Sequence, residues 1–397
     1  MTHAPGRELI LVLNCGSSSI KFALFDAGDA PLSRTPDWSG RIDGITGTAP
    51  VFSTGDAEDQ PLTLDSDRPY FSALTLLRER IQSRLDGRHV VAIAHRVVHG
   101  GSKYFEPVRV DATVLADLKS YIPLAPLHQP FALEAIDALL TELPQLPQIA
   151  CFDTAFHQSM PTVEKMLPLP RSAWDQGLRR YGFHGLSYAY VAQVLGERYG
   201  VAARGRTIIA HLGSGASLCA LQDLRSVATT MGFSALDGLM MGTRCGALDP
   251  GAVIYLMEIR KLSLEQVARM LYHESGLLGV SGISSDPRVL LQHEDDAHAR
   301  EALDLYVRSA VREVGALAAA LNGLDMLAFT AGIGEHNAAI RERICAGLGF
   351  LGIELDPSAN AAHAPVISSA SSKVRVVVEP TNEEWVAATA AAAIIHH

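Results

Sequence analysis

Two arginines of this chain lie among glycines at the predicted ends of secondary-structure elements. Arg96 begins the run R-V-V-H-G-G, and Arg244 lies in M-G-T-R-C-G-A-L-D-P-G. A guanidinium group presents a planar fork of N–H donors, which suits a carboxylate or a phosphoryl group. Most arginines are solvated surface charges, but neighbouring glycines allow a ligand to approach closely. Arg96 and Arg244 are therefore candidates for binding a small anion.

Acidic residues and a histidine are further candidates. Asp153 follows the apolar run I-A-C-F, and α/β proteins place ligands at the carboxyl ends of such strands. A helix N-cap is an equally good interpretation of this aspartate. His184, in Y-G-F-H-G, has a donor for a phosphoryl oxygen, although a lone histidine is more often structural. Glu383 and Glu384, in T-N-E-E, either belong to a capping box before an apolar helix or supply a carboxylate for Mg²⁺.

The segment from Leu11 to Asp26 predicts two strands around the turn C-G-S-S-S, with Lys21 just beyond the turn. Gly16 can adopt backbone angles that are closed to other residues. The bare N–H groups and hydroxyls of such a turn form a cradle for an anion, and Lys21 adds a positive charge beside it. An ordinary hairpin is the commoner meaning of a single Gly/Ser turn.

A second copy of this segment favours the anion cradle. Shifting the sequence by 197 residues places I-I-A-H-L-G-S-G-A-S-L-C-A-L-Q-D, from Ile208 to Asp223, under the first segment without a gap. The identical pairs are Gly16 with Gly213, Ser17 with Ser214, Ala23 with Ala220, Leu24 with Leu221, and Asp26 with Asp223. The repeat predicts a duplicated domain with two facing phosphate loops, and a cleft between two such halves is a natural nucleotide site.

Length and composition limit the possible classes of protein. A chain of 397 residues predicts two domains, which we place at residues 1–150 with 384–397 and at residues 151–383. The net charge of −10 argues against nucleic acid or acidic lipid as a partner. The five scattered cysteines form no C-x-x-C pair, so neither a zinc site nor a disulfide framework is expected. Without a signal peptide or an apolar run of about 18 residues, we expect a cytoplasmic protein that is not in a membrane.

Strand patterns alternate with helix patterns along the whole chain, which indicates an α/β architecture. A third glycine-rich turn, A-G-I-G-E from Ala331 to Glu335, follows the predicted strand Met326–Thr330 and precedes a predicted helix from Asn337 to Leu348. Neither a Walker motif nor a Rossmann G-x-G-x-x-G follows a first strand, so P-loop and dinucleotide folds are disfavoured.

Taken together, these motifs resemble the acetokinase family of the sugar kinase/Hsp70/actin superfamily. The resemblance runs nearly end to end, through N-C-G-S-S-S-I-K, H-R-V-V-H-G-G, A-P-L-H-Q-P, F-D-T-A-F-H, R-Y-G-F-H-G-L-S, H-L-G-S-G-A-S, M-G-T-R-C-G-A-L-D-P-G, G-I-S-S-D, F-T-A-G-I-G-E and T-N-E-E. It implies a duplicated actin-like (ribonuclease H-like) ATPase fold. It also implies a homodimer and reversible transfer of the γ-phosphoryl group of ATP to acetate, giving acetyl phosphate and ADP, with Mg²⁺ or Mn²⁺.

The resemblance also implies roles for individual residues. Arg96 and Arg244 hold acetate and the migrating phosphoryl group, and His184 and Arg244 stabilise the transition state. Asp153 is the essential acid, which either positions acetate and metal or acts as acid/base; because acetate is ionised at neutral pH, positioning is favoured. The remaining roles are the acetate-methyl pocket (Val98, Leu127, Phe183), the metal (Asn14, Glu383) and the nucleotide with its phosphates (Lys21, His211, Leu212, Gly213, Ser214, Gly215, Asp286, Pro287, Arg288, Gly332, Ile333, Gly334, Glu335, His336).

Four positions depart from the family pattern. Ser214 and His336 stand where many members have asparagine, and Pro287 replaces an aromatic residue. Ala235 stands where many have proline beside the methyl pocket, which leaves room for propionate; one methylene discriminates by only about 1–3 kcal/mol. Three hypotheses follow: an acetate or short-chain acyl kinase, a kinase of the same superfamily with another substrate, and a non-catalytic actin-like protein. The third would need neither arginine nor His184.

Overall fold

The computed structural model describes residues 8–28, 31–55, 58–126 and 128–396. The chain forms two compact units: unit 1 comprises Met1–Ala155 and Asn382–His397, and unit 2 comprises Phe156–Thr381. The predicted boundaries at 150 and 383 lie a few residues from these. As a result Asp153 and Glu383, which the sequence assigned to the second domain, belong to unit 1.

Strands form one sheet in each unit. Those of unit 1 are β1 (Glu8–Cys15), β2 (Ser19–Asp26), β3 (Trp38–Asp43), β4 (Val51–Ser53), β5 (Gln60–Pro61), β6 (His89–Val97), β7 (Val108–Arg109) and β8 (Gln148–Phe152). Those of unit 2 are β9 (Arg206–Leu212), β10 (Ala216–Gln222), β11 (Arg225–Thr229), β12 (Met326–Thr330) and β13 (Arg375–Val378).

Helices connect these strands. In chain order they are α1 (Pro69–Arg84), α2 (Ala112–Ser120), α3 (Gln129–Glu142), α4 (Thr162–Lys165), α5 (Arg171–Asp175), α6 (Gly185–Tyr199), α7 (Pro250–Glu258), α8 (Leu264–His273), α9 (Gly276–Ser281), α10 (Pro287–Leu291), α11 (Ala297–Ala320), α12 (Ala331–His336), α13 (Ala338–Ala346), α14 (Pro357–Ala361) and α15 (Glu383–Ile395). Short 3₁₀ turns span Ile122–Leu124, Ala155–Ser159, Gly200–Arg204 and Gly349–Leu351. No helix of the described ranges is long and apolar enough to cross a bilayer.

The two sheets share one topology. The sheet of unit 1 has the order β5-β4-β3-β2-β1-β6-β8-β7, and that of unit 2 has the order β11-β10-β9-β12-β13. In both, three antiparallel strands (β3-β2-β1 and β11-β10-β9) continue into parallel strands (β6 and β8, β12 and β13). This shared order confirms the predicted α/β class and the duplicated fold.

The two copies differ in the length of their first turn. Cys15 pairs with Ile20 across the first hairpin, whereas Leu212 pairs with Ala216 across the second. Four residues therefore close the first turn and three close the second. The ungapped alignment is correct for the first strand of each copy but wrong by one residue beyond the turn. Lys21 pairs with Asn14 in the first hairpin as Ser217 pairs with His211 in the second, so Lys21 and Ser217 occupy equivalent positions on the same face of their sheets.

Continuous apolar runs explain the central strands. The run E-L-I-L-V-L-N-C of β1 is buried from Leu9 to Leu13, on both faces of the sheet. Such runs are typical of strands that helices cover on both sides. Helix α15 packs on β1 and β6, and the indole Nε1 of Trp385 donates to the carbonyl oxygen of Leu32 at 3.1 Å. The last helix thereby completes the core of unit 1.

The third glycine-rich segment is helical rather than a turn. Helix α13 lies within the predicted helix from Asn337 to Leu348, but the segment from Ala331 to His336, predicted as a turn, forms a separate helix, α12. The reason is local capping. The carboxylate of Glu335 accepts the N–H of Ala331 at 2.7 Å, and the side chain of Asn337 caps α13 by accepting the N–H of Ile340. Side-chain caps of this kind satisfy the free N–H groups at a helix start.

Arg341, in α13, is a fully buried arginine that holds α12 in place. Its guanidinium donates to the carbonyl oxygens of Gly334 and Glu335 at 2.9 and 2.8 Å, and to the side-chain and main-chain oxygens of Asn360 at 2.9 and 2.8 Å. Its exposure is 0%. Burial lowers the pKa of this guanidinium. The fork satisfies carbonyl oxygens that would otherwise be buried without donors.

Replacing Arg341 with methionine tests this anchor. We expect Arg341→Met to lower the free energy of unfolding by about 3 kcal/mol or more, because several buried carbonyl groups lose their donors. Arg343→Met is the matched control: Arg343 pairs with Glu294 at 2.7 Å, its side chain is 33% exposed, and its loss should cost at most about 1 kcal/mol. Thermal unfolding of both variants measures the difference, and equal melting temperatures would contradict the anchoring role.

Candidate active site

The carboxyl ends of β1, β6 and β8 lie at one edge of the sheet of unit 1. These strands run parallel, with Leu13 opposite His95 and Val97 opposite Phe152. Asn14, Arg96 and Asp153 lie at or just beyond these ends. The topology therefore brings together three predicted site residues that are far apart in sequence, at the edge where α/β proteins bind ligands.

The guanidinium of Arg96 is the centre of this cluster. Its Nε donates to both carboxylate oxygens of Asp153 at 3.0 Å, and its Nη2 donates to Oδ2 at 2.6 Å. Its Nη1 donates to Oδ1 of Asn14 at 3.3 Å. An oxygen of Glu383, the first residue of α15, lies 3.6 Å from Nε. Four of the predicted residues are thus in one set of contacts.

Burial and charge oppose each other in this cluster. The side chain of Asp153 is 2% exposed and that of Arg96 is 23% exposed. Burial alone disfavours the charged guanidinium, but the carboxylates of Asp153 and Glu383 outweigh it and raise the pKa of Arg96. Burial is the main cause that raises the pKa of Glu384, and the negative charge of Glu383 raises it further. The pair with Arg96 is what makes a buried carboxylate at position 153 tolerable.

Asn14 and Glu383 offer oxygen atoms that suit Mg²⁺. No group of three or more His, Cys, Asp or Glu residues in the described parts of the chain is arranged to hold a metal ion. Mg²⁺ usually keeps several waters and takes only one or two protein carboxylates together with substrate phosphates. The donor set therefore fits a magnesium ion that the substrate helps to hold.

Lys21 is exposed on β2, opposite Asn14 of β1 and Arg41 of β3. It lines a polar cavity of about 450 Å³ whose wall also includes Asn382 and Glu384. The side chain of Asn382 caps α15 by accepting the N–H of Trp385 at 3.0 Å, so Asn382 is the helix cap of the T-N-E-E run. The cavity places a lysine amine beside the start of this helix.

The predicted methyl pocket is only partly described. Val98 is half-buried in unit 1, and Leu127 lies outside the described residues. Phe183 is buried in unit 2, where its carbonyl oxygen accepts a hydrogen bond from Nε2 of His157 at 2.9 Å. Burial lowers the pKa of His157 to about 4, so this histidine is a neutral structural donor.

In unit 2, His184 and Arg244 flank the second Gly/Ser turn. His184 is the left-handed N-cap residue of α6, with φ of 59°. A methyl group on Gly215 would lie 3.0 Å from Nε2 of His184 and 3.7 Å from Nη1 of Arg244. The ring of His184 stacks on that of His211, with 4.1 Å between centroids. The absence of a side chain at Gly215 leaves room for a ligand beside two donors.

The loop that carries Arg244 is fixed by backbone contacts. Nη1 of Arg244 donates to the carbonyl oxygen of Ala235 at 3.0 Å, and the N–H of Met241 donates to the carbonyl oxygen of Arg244 at 3.1 Å. Gly276, at the start of α9, has φ of +64°, and an added methyl would lie 2.1 Å from the carbonyl oxygen of Met241. Only glycine allows helix and loop to approach so closely.

The three predicted nucleotide segments meet around one cavity in unit 2. Its volume is about 360 Å³. The lining residues are Gly213, Ser214, Ser285, Asp286, Pro287, Arg288, Gly332, Ile333, His336 and Asn337. All three nucleotide-segment departures from the family pattern (Ser214, Pro287 and His336) line this cavity.

Six other predicted nucleotide residues do not line it: Lys21 of unit 1, and His211, Leu212, Gly215, Gly334 and Glu335 of unit 2. The carboxylate of Glu335 is occupied with backbone N–H groups, those of Ala331 at 2.7 Å and Thr381 at 3.2 Å. Its position thus stabilises the start of α12, and Asp286 likewise caps α10 by accepting the N–H of Arg288.

The sequence motifs do not reveal the polar residues behind the two histidines. Nδ1 of His184 contacts Oγ of Ser217 at 2.8 Å, and Nδ1 of His211 contacts Oγ of Ser187 at 2.8 Å. Tyr188 and Thr381 contact these serines in turn. Ser187 and Tyr188 follow His184 within one helical turn, so their proximity to the histidine could be predicted. Their contacts with Ser217 and His211 could not, because these depend on how the strands pair.

Adding a methyl group at Gly276 tests the close approach of α9 to the Arg244 loop. We expect Gly276→Ala to lower the free energy of unfolding by about 2–4 kcal/mol. The control is Gly282→Ala at the other end of α9, where φ is +67° and nothing lies within 4 Å; it should cost only about 1 kcal/mol. Thermal unfolding compares the two, and similar losses would show that the contact with Met241 does not matter.

Comparisons with known proteins agree with this geometry. The sequence model of the Acetokinase family matches residues 9–389. The chain is 49% identical over 383 residues to an acetate kinase of Rhodopseudomonas palustris (strain ATCC BAA-98 / CGA009). This alignment covers 95% of this chain and 96% of that relative. It is 46% identical over 393 residues to an acetate kinase of Rhizobium meliloti, with 98% of each covered.

Solved structures give the same result. A Porphyromonas gingivalis acetate kinase matches with a TM-score of 0.86 at 35% identity, covering 98% of this chain and 100% of that one. A propionate kinase from Francisella tularensis subsp. tularensis SCHU S4 matches with a TM-score of 0.87 at 35% identity, covering 96% and 98%. The hypothesis drawn from the sequence motifs is confirmed: the chain belongs to the acetokinase family.

Proposed function

We propose that this protein is a kinase that transfers the γ-phosphoryl group of ATP reversibly to acetate, forming acetyl phosphate and ADP. The observation that carries the proposal is the cluster around Arg96, in which a guanidinium, two carboxylates and an amide meet at the carboxyl ends of the parallel strands β1, β6 and β8. A non-catalytic nucleotide-binding protein has no need of this cluster or of the donors around Gly215.

Arg96 binds the carboxylate of acetate, and Asp153 positions Arg96. Acetate is ionised at neutral pH, so no base is needed to generate the nucleophile. Asp153 is already engaged by three hydrogen bonds from Arg96, which suits an orienting role better than proton transfer. The family resemblance assigns Val98, Leu127 and Phe183 to the binding of the acetate methyl group.

His184 and Arg244 stabilise the charge on the phosphoryl group in transit. Phosphoryl transfer depends mainly on positioning and on neutralising charge on the equatorial oxygens. Both donors lie within 4 Å of the position that a methyl group on Gly215 would occupy, so that turn is where oxygens of the phosphoryl group bind. A single turnover requires these donors as well as the Arg96 cluster.

The cavity of unit 2 binds the nucleotide, and Lys21 contacts a phosphate. The segments 213–215, 286–288 and 332–336 contribute to nucleotide binding, with Glu335 acting through the backbone of α12. Asn14 and Glu383 hold Mg²⁺, or Mn²⁺, through their oxygen atoms. When bound, the ion neutralises charge on the phosphates. These reactants, together with five free thiols, favour a cytoplasmic location.

Propionate is the second candidate substrate. Ala235, whose carbonyl oxygen fixes Arg244, is smaller than the proline of many members, and a structurally similar protein is a propionate kinase. Because a methylene discriminates by only about 1–3 kcal/mol, we expect activity with both acids, and butyrate to be poorer.

Trapping acyl phosphates with hydroxylamine tests the activity. With Mg-ATP we expect acyl hydroxamate from acetate and propionate, and removal of divalent ions by chelation should abolish it. Arg244→Ala should lower kcat at least 100-fold, equivalent to about 2.7 kcal/mol of transition-state stabilisation. Arg260→Ala, at an exposed arginine of the same unit, should leave kcat unchanged. No hydroxamate with acetate, propionate or butyrate would rule out the proposed reaction.

We propose further that the protein is a homodimer that associates through α7 and α8. Helix α7 is strongly apolar (P-G-A-V-I-Y-L-M-E), yet none of its residues is buried. The exposed apolar side chains of residues 248–264 are Leu248, Ile254, Tyr255, Met257, Ile259 and Leu264. They offer on the order of 600 Å² of apolar surface, most of the roughly 800 Å² that each partner contributes to a standard interface.

Charge placed on this surface should prevent association. We expect Ile254→Glu combined with Ile259→Glu to give monomers in sedimentation equilibrium, because carboxylates would be buried without partners. Val201→Glu is the control, since Val201 is 87% exposed on a different segment and should leave the dimer intact. A double variant that remains dimeric would place the interface elsewhere.

A further inference from the structure

We propose that Tyr188 and Ser217 hold His184 as the neutral tautomer that carries its proton on Nε2, and that Thr381 and Ser187 do the same for His211. The two histidines then act as a pair of fixed N–H donors. The role of these donors in phosphoryl transfer rests on the proposed function, whereas the tautomer itself does not.

Tyr188 determines the direction of the first chain of hydrogen bonds. Its hydroxyl lies 2.5 Å from Oγ of Ser217, and Tyr188 is completely buried. Among the described residues this serine is the only hydrogen-bond partner of the tyrosine hydroxyl. Buried polar hydrogens pair with an acceptor that lies within reach, so Tyr188 donates to Ser217.

Ser217 consequently donates to His184. Ser217 is also completely buried, and its Oγ lies 2.8 Å from Nδ1 of His184. In the described structure the two partners of this Oγ are the hydroxyl of Tyr188, which donates to it, and Nδ1 of His184, so the proton of Ser217 is directed to Nδ1. A nitrogen that accepts a hydrogen bond carries no proton, and a neutral imidazole then bears its proton on the other nitrogen, Nε2.

The second histidine has the same arrangement. Thr381 donates to Oγ of Ser187 at 2.8 Å, and this oxygen lies 2.8 Å from Nδ1 of His211. Ser187 is completely buried, so its proton is likewise directed to the ring. His211 is therefore also protonated on Nε2.

Charge supports neutral rings. The rings of His184 and His211 are nearly parallel, with 14° between their planes and 4.1 Å between their centroids. Two imidazolium ions at this distance would repel each other, and Nη1 of Arg244 adds a positive charge on the same side of Gly215.

Both Nε2 atoms face the second Gly/Ser turn. Nε2 of His184 lies 3.0 Å from the position of a methyl group on Gly215, and Nε2 of His211 lies 3.6 Å from that on Gly213. The N–H groups are therefore presented where the proposed function requires donors to phosphoryl oxygens. Tyr188, Ser217, Ser187 and Thr381 are positioning residues for this pair.

Nitrogen chemical shifts measure the tautomer directly. In full-length protein labelled with ¹⁵N at histidine, a long-range ¹H–¹⁵N spectrum at pH 7.5 should show Nδ1 of His184 unprotonated and Nε2 protonated, with the signals assigned by their loss in His184→Gln. The same pattern is expected for His211. A signal from protonated Nδ1, whether as the other tautomer or as imidazolium, would overturn the proposal even if the protein proves to be an acetate kinase.

Removing the tyrosine hydroxyl tests the chain. In Tyr188→Phe, Ser217 can reverse its proton, so both tautomers of His184 should appear and kcat should fall about tenfold with KM for ATP and acetate within twofold. Tyr306→Phe is the matched control, because Tyr306 is a buried tyrosine whose hydroxyl has no partner in the described structure; it should change neither quantity. Ser217→Thr keeps the hydroxyl and should retain the wild-type tautomer, whereas Ser217→Ala should not. An unchanged spectrum and kcat in Tyr188→Phe would refute the directing role of Tyr188.

Discussion

Parallel strands that end together at one edge of a sheet are the constraint on which the rest of this molecule depends. Helices cover both faces of each central strand, so the strand is apolar along most of its length. Polar groups can be placed only at its last residues. In unit 1 this places Asn14, Arg96 and Asp153 side by side. In unit 2 the equivalent edge carries His211 at the end of β9 and Ala331 directly after β12. Sheet topology thus determines where polar site residues can lie in each unit.

A buried carboxylate follows the last parallel strand in both units. Asp153 follows β8 and Glu379 follows β13, and each donates its backbone N–H to the neighbouring strand, at Val97 and Phe329 respectively. Each pairs with an arginine, but the pairs differ. Asp153 is held by the fork of Arg96, whereas Glu379 lies 3.1 Å from Arg198, whose side chain is half exposed. Burial raises the pKa of Glu379. The first pair is held by three hydrogen bonds, whereas the second leaves its arginine half open to solvent.

Much of the fold followed from the sequence because its signals are local. Apolar runs gave the central strands, and the Gly/Ser turns revealed the duplication. Arg96, Arg244 and His184 were found because glycines surround them. The extent of α12 was missed, since it depends on how the carboxylate of Glu335 folds back onto Ala331.

The residues behind the site were beyond sequence patterns for a physical reason. Arg341 resembles any helix-face arginine until α14 supplies Asn360. Ser217 and Tyr188 are 29 residues apart and gain meaning only when β10 lies beside α6. Such contacts are set by tertiary packing, which no local spacing records.

The missing residue in the second turn has a consequence for how the two halves diverged. It places Ser217, a neutral hydroxyl against an imidazole ring, at the position that Lys21 occupies in the first half. The same residue cannot serve both positions, because a lysine in the second half would press an ammonium group against His184 and a serine in the first half would leave β2 without this cation. The two halves therefore carry a different charge at one equivalent position, and that position is no longer interchangeable between them.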